Sequence, residues 1–315
     1  MIIQDNIFRD MAKLVAWYPL RWCVTVSPWR MVYTMGKLAG AGDARIEKGR
    51  IRRITDNLLS VYGDKMIEED AAKIANRIVQ RHFVEHMEFY KFATLNRGNI
   101  DKRIKFEGLE HLDAALEKGK GAILAHMHFG SKQFPLVALG HMDYAVNQIG
   151  YRDTTAPDHS FIHKHVHLRI RNRLESKFKA RHIHLNNSLR PAYRALQNNE
   201  VLFIASDGIG GIRGIGPNYL PVPFLGKTMS FPPGPARMAR KTGAALIPLL
   251  CLQQQDWTYK AVLEKPVEVV QTENSKQDVQ NIVLRYTEVF EKYISKYPDH
   301  WMFWEEFQEG NLVHS

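Results

Sequence analysis

Cysteine is scarce: Cys23 and Cys251 are the only two in 315 residues, and they stand far apart. Neither belongs to a C-x-x-C or other metal-like spacing, so no disulfide framework is expected and a reducing compartment fits. Nowhere do about 18 uncharged apolar residues follow one another, which excludes an ordinary transmembrane helix. The opening residues lack a basic start, an apolar core and a small-residue cleavage site, so no secretory leader is expected. There is no internal repeat and no low-complexity tract. Negative charge is the minority, with 33 Asp+Glu against 43 Lys+Arg and a net charge of +10. That balance favours an anionic partner: a membrane surface, an acidic carrier protein, a phosphorylated lipid or a nucleic acid. Nucleic acid is disfavoured. No recognition motif is present, and the aromatics cluster toward the two ends, away from the basic run 163–182.

What is there begins with Trp17, Tyr18, Trp22, Trp29 and Tyr33 set among Arg21, Arg30 and Lys37. Rings interleaved with cations suit the headgroup layer of a bilayer, and equally a helical hairpin packed on the core. Pro19 and Pro28 are expected to break any long helix there. Residues 43–98 read as helical, with Ile51, Ile54, Leu58 and Val61, then Ile74, Ile78 and Phe83, at helical spacing. His82 and His86 with Glu88 have a metal-like spacing. A helical surface face is the preferred reading, because no third ligand is evident.

Strand and helix signals then alternate. They give a strand at 103–107, a helix at 109–117, a strand at 122–126, a helix at 134–139 and a strand at 144–149, the pattern of an α/β sheet covered by helices. The stretch 163–184 is dense in cations and carries His163, His165, His167, His182 and His184. A metal box is disfavoured, since Arg169, Arg171 and Arg173 repel a cation; an anion site and a solvated helix face both stay open. A helix follows at 189–197. Residues 200–206 form the clearest buried strand and end in Asp207, where α/β proteins place functional groups. The glycines behind it carry no nucleotide fingerprint, having no Walker lysine and no helix directly after G-x-G. Later come a helix at 235–242, strands at 245–250 and 259–263, and an amphipathic helix at 277–297. The tail His300–Phe307 is expected to cover the sheet or to touch lipid.

The centre is GAILAHMHFGSKQFP, residues 121–135. A buried strand delivers His126 and His128 to a glycine-containing turn, which fixes a histidine and exposes it for base chemistry. A strand, then His-Phe-Gly, then an acid five positions after the His resembles the bacterial lipid A late acyltransferases, within the lysophospholipid acyltransferase-like group. The likeness extends over most of the chain. It takes in Trp17–Arg21, the F-E-G-L-E-H-L block, Asp207, V-P-F-L-G-K, P-P-G-P-A-R-M-A-R-K-T-G and Pro298-Asp299-His300-Trp301. Gln133 stands where the family has its acid.

The resemblance implies a single α/β domain (41–315) with a central mixed sheet flanked by helices, and a membrane-contacting segment (1–40). It implies an acyltransferase on the cytoplasmic face of the inner membrane. The donor is an acyl carrier protein or coenzyme A thioester, and the acceptor is a hydroxyl of a lipid A precursor or related glycolipid. No metal and no bound organic cofactor is expected. His128 is the implied base, with Gln133 and Asp207 beside it in the catalytic set. Arg152, Arg171, Arg173 and the Gly130 backbone are the implied substrate contacts. Because Gln133 is neutral, three readings stay open: Asp207 or another carboxylate stands in, the acyl donor is not a fatty one, or catalysis is lost and lipid binding kept.

Overall fold

The computed structural model describes residues 7–150, 160–184, 188–207 and 215–314. Five helices come first: α1 (Ile7–Val15), α2 (Arg21–Val26), α3 (Trp29–Ile46), α4 (Lys48–Tyr62) and α5 (Glu68–Lys91). Strands and helices then alternate through β1 (Ile104–Glu107), α6 (Leu109–Leu116), β2 (Ala122–His126), α7 (Phe134–His141) and β3 (Val146–Gly150). Next come α8 (Leu168–Glu175), β4 (Ala180–His184), α9 (Arg190–Gln197), β5 (Val201–Ala205), β6 (Leu220–Phe224) and β7 (Lys227–Phe231). The chain finishes with α10 (Gly234–Thr242), β8 (Ala245–Gln253), β9 (Tyr259–Leu263) and α11 (Ser275–Lys296).

Seven strands make one mixed sheet in the order β1-β9-β8-β2-β5-β3-β4. The five from β8 to β4 run parallel; β9 turns back against β8, and β1 runs alongside β9. Both faces are covered, so the central strands are apolar on both sides. Ile123 and Ala125 of β2 face a core built with α4, α5, α10 and α11, while Ala122 and Leu124 face one built with α6 and α7. This is the α/β architecture expected from the alternating signals. Helix α3 is seated on α5, where a Cβ at Gly40 would lie 2.5 Å from the Gln80 Cα. Residue 40 therefore falls inside a helix joined to the body.

Three features differ from expectation. Pro19 breaks no helix: a π-helical turn at Ala16–Leu20 carries the chain from α1 into α2. There the Arg21 backbone N–H reaches back to Ala16 O, and its Nε donates to Trp17 O at 2.8 Å, so the wider turn absorbs the missing proline donor. Pro28 does end α2 and stands at the N-cap of α3. The end of the basic stretch is the edge strand β4, and residues 220–231 form the separate hairpin β6–β7. In the tail, Trp301 and Trp304 are fully buried, so they cover the sheet and are closed to lipid.

Candidate active site

Strands β2 and β5 pair in register, with His126 opposite Ala205. Two residues further along each strand the chain delivers His128 and Asp207, and the ladder is extended by Ser206 N–H donating to His126 O at 2.7 Å. Register alone thus brings the two side chains to the same level at the C-terminal edge of the sheet. His128 Nδ1 lies 2.8 Å from Asp207 Oδ1. The His128 backbone N–H donates to Oδ2 at 2.8 Å, and the Trp301 indole Nε1–H donates to the same oxygen at 3.0 Å.

Asp207 is wholly buried. Burial pushes its carboxyl up, but the His128 charge and these hydrogen bonds outweigh burial and hold it below the usual range. Desolvating a carboxylate costs several kcal/mol. Three bonds to a charged acceptor, each contributing about 1.5–3 kcal/mol, offset that. An ionised carboxylate only accepts, so Nδ1 carries the proton and Nε2 is left as the basic nitrogen. The ring is partly exposed and packs 4.5 Å from Phe303.

Residues 298–302 lie along the His128 turn like a short antiparallel strand. Gly130 N–H donates to His300 O at 2.8 Å, Met302 N–H donates to His128 O at 2.9 Å, and Phe129 bridges to Trp301. Gly130 is held at φ +62°, and a Cβ there would meet Cys251 O at 1.8 Å. The strap is anchored by Asp299, which accepts from Arg81 at 3.0 Å and Arg77 at 3.3 Å. Asp299 and His300 are a second His–Asp pair, at 3.0 Å, yet the His300 Nε2 already accepts from Gln253 N at 3.3 Å. Both its ring nitrogens are occupied, so this pair holds structure.

Beneath the turn, Ser131 Oγ donates to Glu88 Oε2 at 2.8 Å and Tyr259 OH to Glu88 Oε1 at 2.6 Å. Burial pushes Glu88 up to about 8. Lys132 reaches Glu85 at 3.0 Å. A cavity of about 10 Å³ among these residues is too small for a substrate; one of about 180 Å³, beside Lys118, Lys120 and Val267, sits at the opposite end of the sheet.

Of the residues named from sequence, the structure joins His128 and Asp207. Gln133 stands at the N-cap of α7 without a capping bond, and its Oε1 is buried with no hydrogen-bond partner. It makes no bond to His128, whose Nδ1 is held by Asp207. The Gly130 N–H is committed to His300, so it is not offered to a substrate. Arg171 and Arg173 are exposed on α8, and Arg171 pairs with Glu175 at 2.7 Å. Arg152 and the glycine loop after Asp207 lie outside the described residues. His126 is buried, and burial with the neighbouring His128 pushes it down to about 3, so it is neutral.

No group of three metal-ligating side chains comes together among the described residues. His167 accepts the Trp17 indole N–H at 2.8 Å, and Glu88 is no part of a surface face with His82 and His86. Sequence reasoning gave Trp301 and Ser131 no part in the site and set Glu88 on a surface face. The spacing of Glu88 from the buried Ile74, Ile78 and Val84 of α5 was the available signal.

A histidine bonded to a buried carboxylate at the C-terminal edge of the parallel strands is an arrangement suited to acid–base group transfer. Residues 10–306 match the family model for bacterial lipid A biosynthesis acyltransferases. The chain belongs to that family and is a lipid acyltransferase. It is 24% identical to a phosphatidylinositol mannoside acyltransferase of Mycolicibacterium smegmatis, over 87% of this chain and 86% of that one. Its likeness to the Mycobacterium tuberculosis protein of the same description is 27% identity, over 55% of this chain and 52% of that one.

Proposed function

We propose that this chain moves an acyl group from an acyl carrier protein or coenzyme A thioester to a hydroxyl of an anionic glycolipid at a membrane surface. A lipid A precursor and a phosphatidylinositol mannoside share that acceptor chemistry. The reading is carried by the 2.8 Å bond between His128 Nδ1 and the buried Asp207. Nε2 takes the proton of the acceptor hydroxyl as its oxygen attacks the thioester carbonyl. The C–S bond breaks, an ester forms, and the imidazolium returns its proton to the departing thiolate. Asp207 stays ionised, keeps the tautomer and stabilises the imidazolium. This supports the reading in which Asp207 supplies the carboxylate that Gln133 lacks.

A membrane surface is supported by a stripe of exposed apolar residues along α1, the π-helical turn and α2: Phe8, Met11, Val15, Tyr18, Trp22 and Val26. Their spacing of three and four keeps them on one helix face. No described helix is long and apolar enough to cross a membrane, so the stripe suits a helix lying in the interface. The cytoplasmic face of an inner membrane is the location this mode of binding and the carrier-linked donor favour.

The test is acyl transfer by the purified chain from each donor to each of the two acceptors, in vesicles. His128→Ala is expected to abolish turnover, and Asp207→Asn to lower kcat by about a hundred- to ten-thousand-fold. Turnover that survives His128→Ala would remove the base from this position.

A further inference from the structure

We propose that Trp301 is a positioning residue for the His128–Asp207 pair, its indole N–H locking the carboxylate in the orientation that aims His128 Nε2 at the acceptor. The proposal rests on the reading of His128 as the base. Asp207 Oδ1 is taken by the imidazole, and Oδ2 is shared by the His128 backbone N–H and the Trp301 indole at 3.0 Å. Both backbone and ring of Trp301 therefore report to the pair: the backbone bridges to Phe129, next to His128, and the ring caps its partner. The indole is fully buried and wedged among Phe224, Trp304 and Phe307, with ring centroids 5.2 to 5.9 Å away. A donor so held cannot follow the carboxylate, so the carboxylate must stay with the donor. Removing the N–H leaves Oδ2 with the His128 backbone N–H as its remaining donor, loosens the carboxylate about the Cβ–Cγ bond and leaves its charge less neutralised.

The molecule contains its own control. Trp304 is as deeply buried as Trp301, but its indole donates to the Pro298 carbonyl at 2.8 Å. Replacing either by Phe removes the same atoms from the same aromatic cluster; only one loses a bond to the dyad. Among the described residues, the charged and titratable groups that interact with His128 include Asp207, the neutral His126 on β2, and Glu306 in the tail, whose carboxyl is raised by burial and by Glu305.

The experiment compares the native chain, Trp301→Phe and Trp304→Phe. It follows kcat and KM for acyl transfer, and the His128 ring and the indole N–H resonances through a pH titration by NMR. Trp301→Phe is expected to lower kcat about tenfold or more with KM for donor and acceptor within about twofold, and to raise the His128 titration midpoint. Trp304→Phe, at a similar loss of thermal stability, is expected to leave both unchanged. In the native chain the Trp301 indole N–H is expected to shift with the midpoint of His128, and that of Trp304 to stay still. Equal behaviour of the two variants, or a Trp301 indole indifferent to the titration of His128, overturns the proposal. If Trp301→Phe fails to fold, the native indole titration decides. If the native chain transfers no acyl group, the proposed function falls and the two titrations still decide the role of Trp301.

Discussion

A methyl group added at Gly130 has nowhere to go. Its Cβ would sit 1.8 Å from the Cys251 carbonyl oxygen, on a backbone already at φ +62°. Gly130→Ala must therefore push the His128 turn off β8 and strain the left-handed backbone, a combination costing well above the roughly 1 kcal/mol of an ordinary glycine replacement. The expected outcome is a fall in thermal midpoint of several degrees together with loss of turnover; an unchanged midpoint would mean that the turn has slack. At this scale legibility was uneven. His128 could be read because an apolar run, a histidine and a glycine turn adjoin in sequence. The partner of its imidazole lies 79 positions away, so no local spacing rule finds it. The position five after the histidine drew attention to Gln133, yet the carboxylate that holds Nδ1 comes from the neighbouring strand end. From the residues alone Asp207 was visible as an acid closing a strand; its place beside His128 came from the family resemblance, as one of three open readings.

Elements with a strong apolar signature were legible almost to the residue: β2, β5, β9 and α10 stand where their patterns place them. Strand β4 escaped because ARHIH sits at an edge, where only Ile183 is buried, and its cations look like a solvated face. Strand β6 escaped because LPVPF holds two prolines. They occupy alternate positions, with Val222 buried between them, so that the residues in between carry the pairing with β7. The apolar stripe of α1 and α2 supplies the prediction at this scale. Trp22 and Val26 are 63% and 84% exposed, so changing them removes few internal contacts. Trp22→Ser with Val26→Asp is expected to cut binding to anionic vesicles about tenfold or more at an unchanged thermal midpoint. Loss of the fold along with binding would show that the stripe is a packing surface instead.

For the whole molecule, unfolding should carry the mark of Glu88. Its folded value, pushed up to about 8 by burial, lies above that of an exposed carboxyl, so between about 4.5 and 8 the folded state holds a proton that the unfolded state has lost. Stability from this group is full below about pH 4.5 and is lost as pH rises toward 8. Asp207 and Asp299, held below the usual range, act oppositely and lose their contribution as pH falls. The difference isolates Glu88. Relative to Glu88→Gln, the native chain is expected to lose stability from pH 5 to 8 and to run parallel above it, as read from denaturant midpoints. A constant difference across that range would mean that Glu88 is ionised in the fold.

Residues 298–302 also set an order of events. In synthesis they leave the ribosome after every strand of the sheet, so a nascent chain already holds His128 and Asp207 while the Gly130 N–H still lacks its carbonyl and Asp207 Oδ2 still lacks its indole. Competence to transfer an acyl group then arrives with the strap, after the sheet itself. A chain without its strap has the sheet and His128 but not the bonds that hold Asp207 and Gly130 in place, and so carries little risk of spending thioester on water.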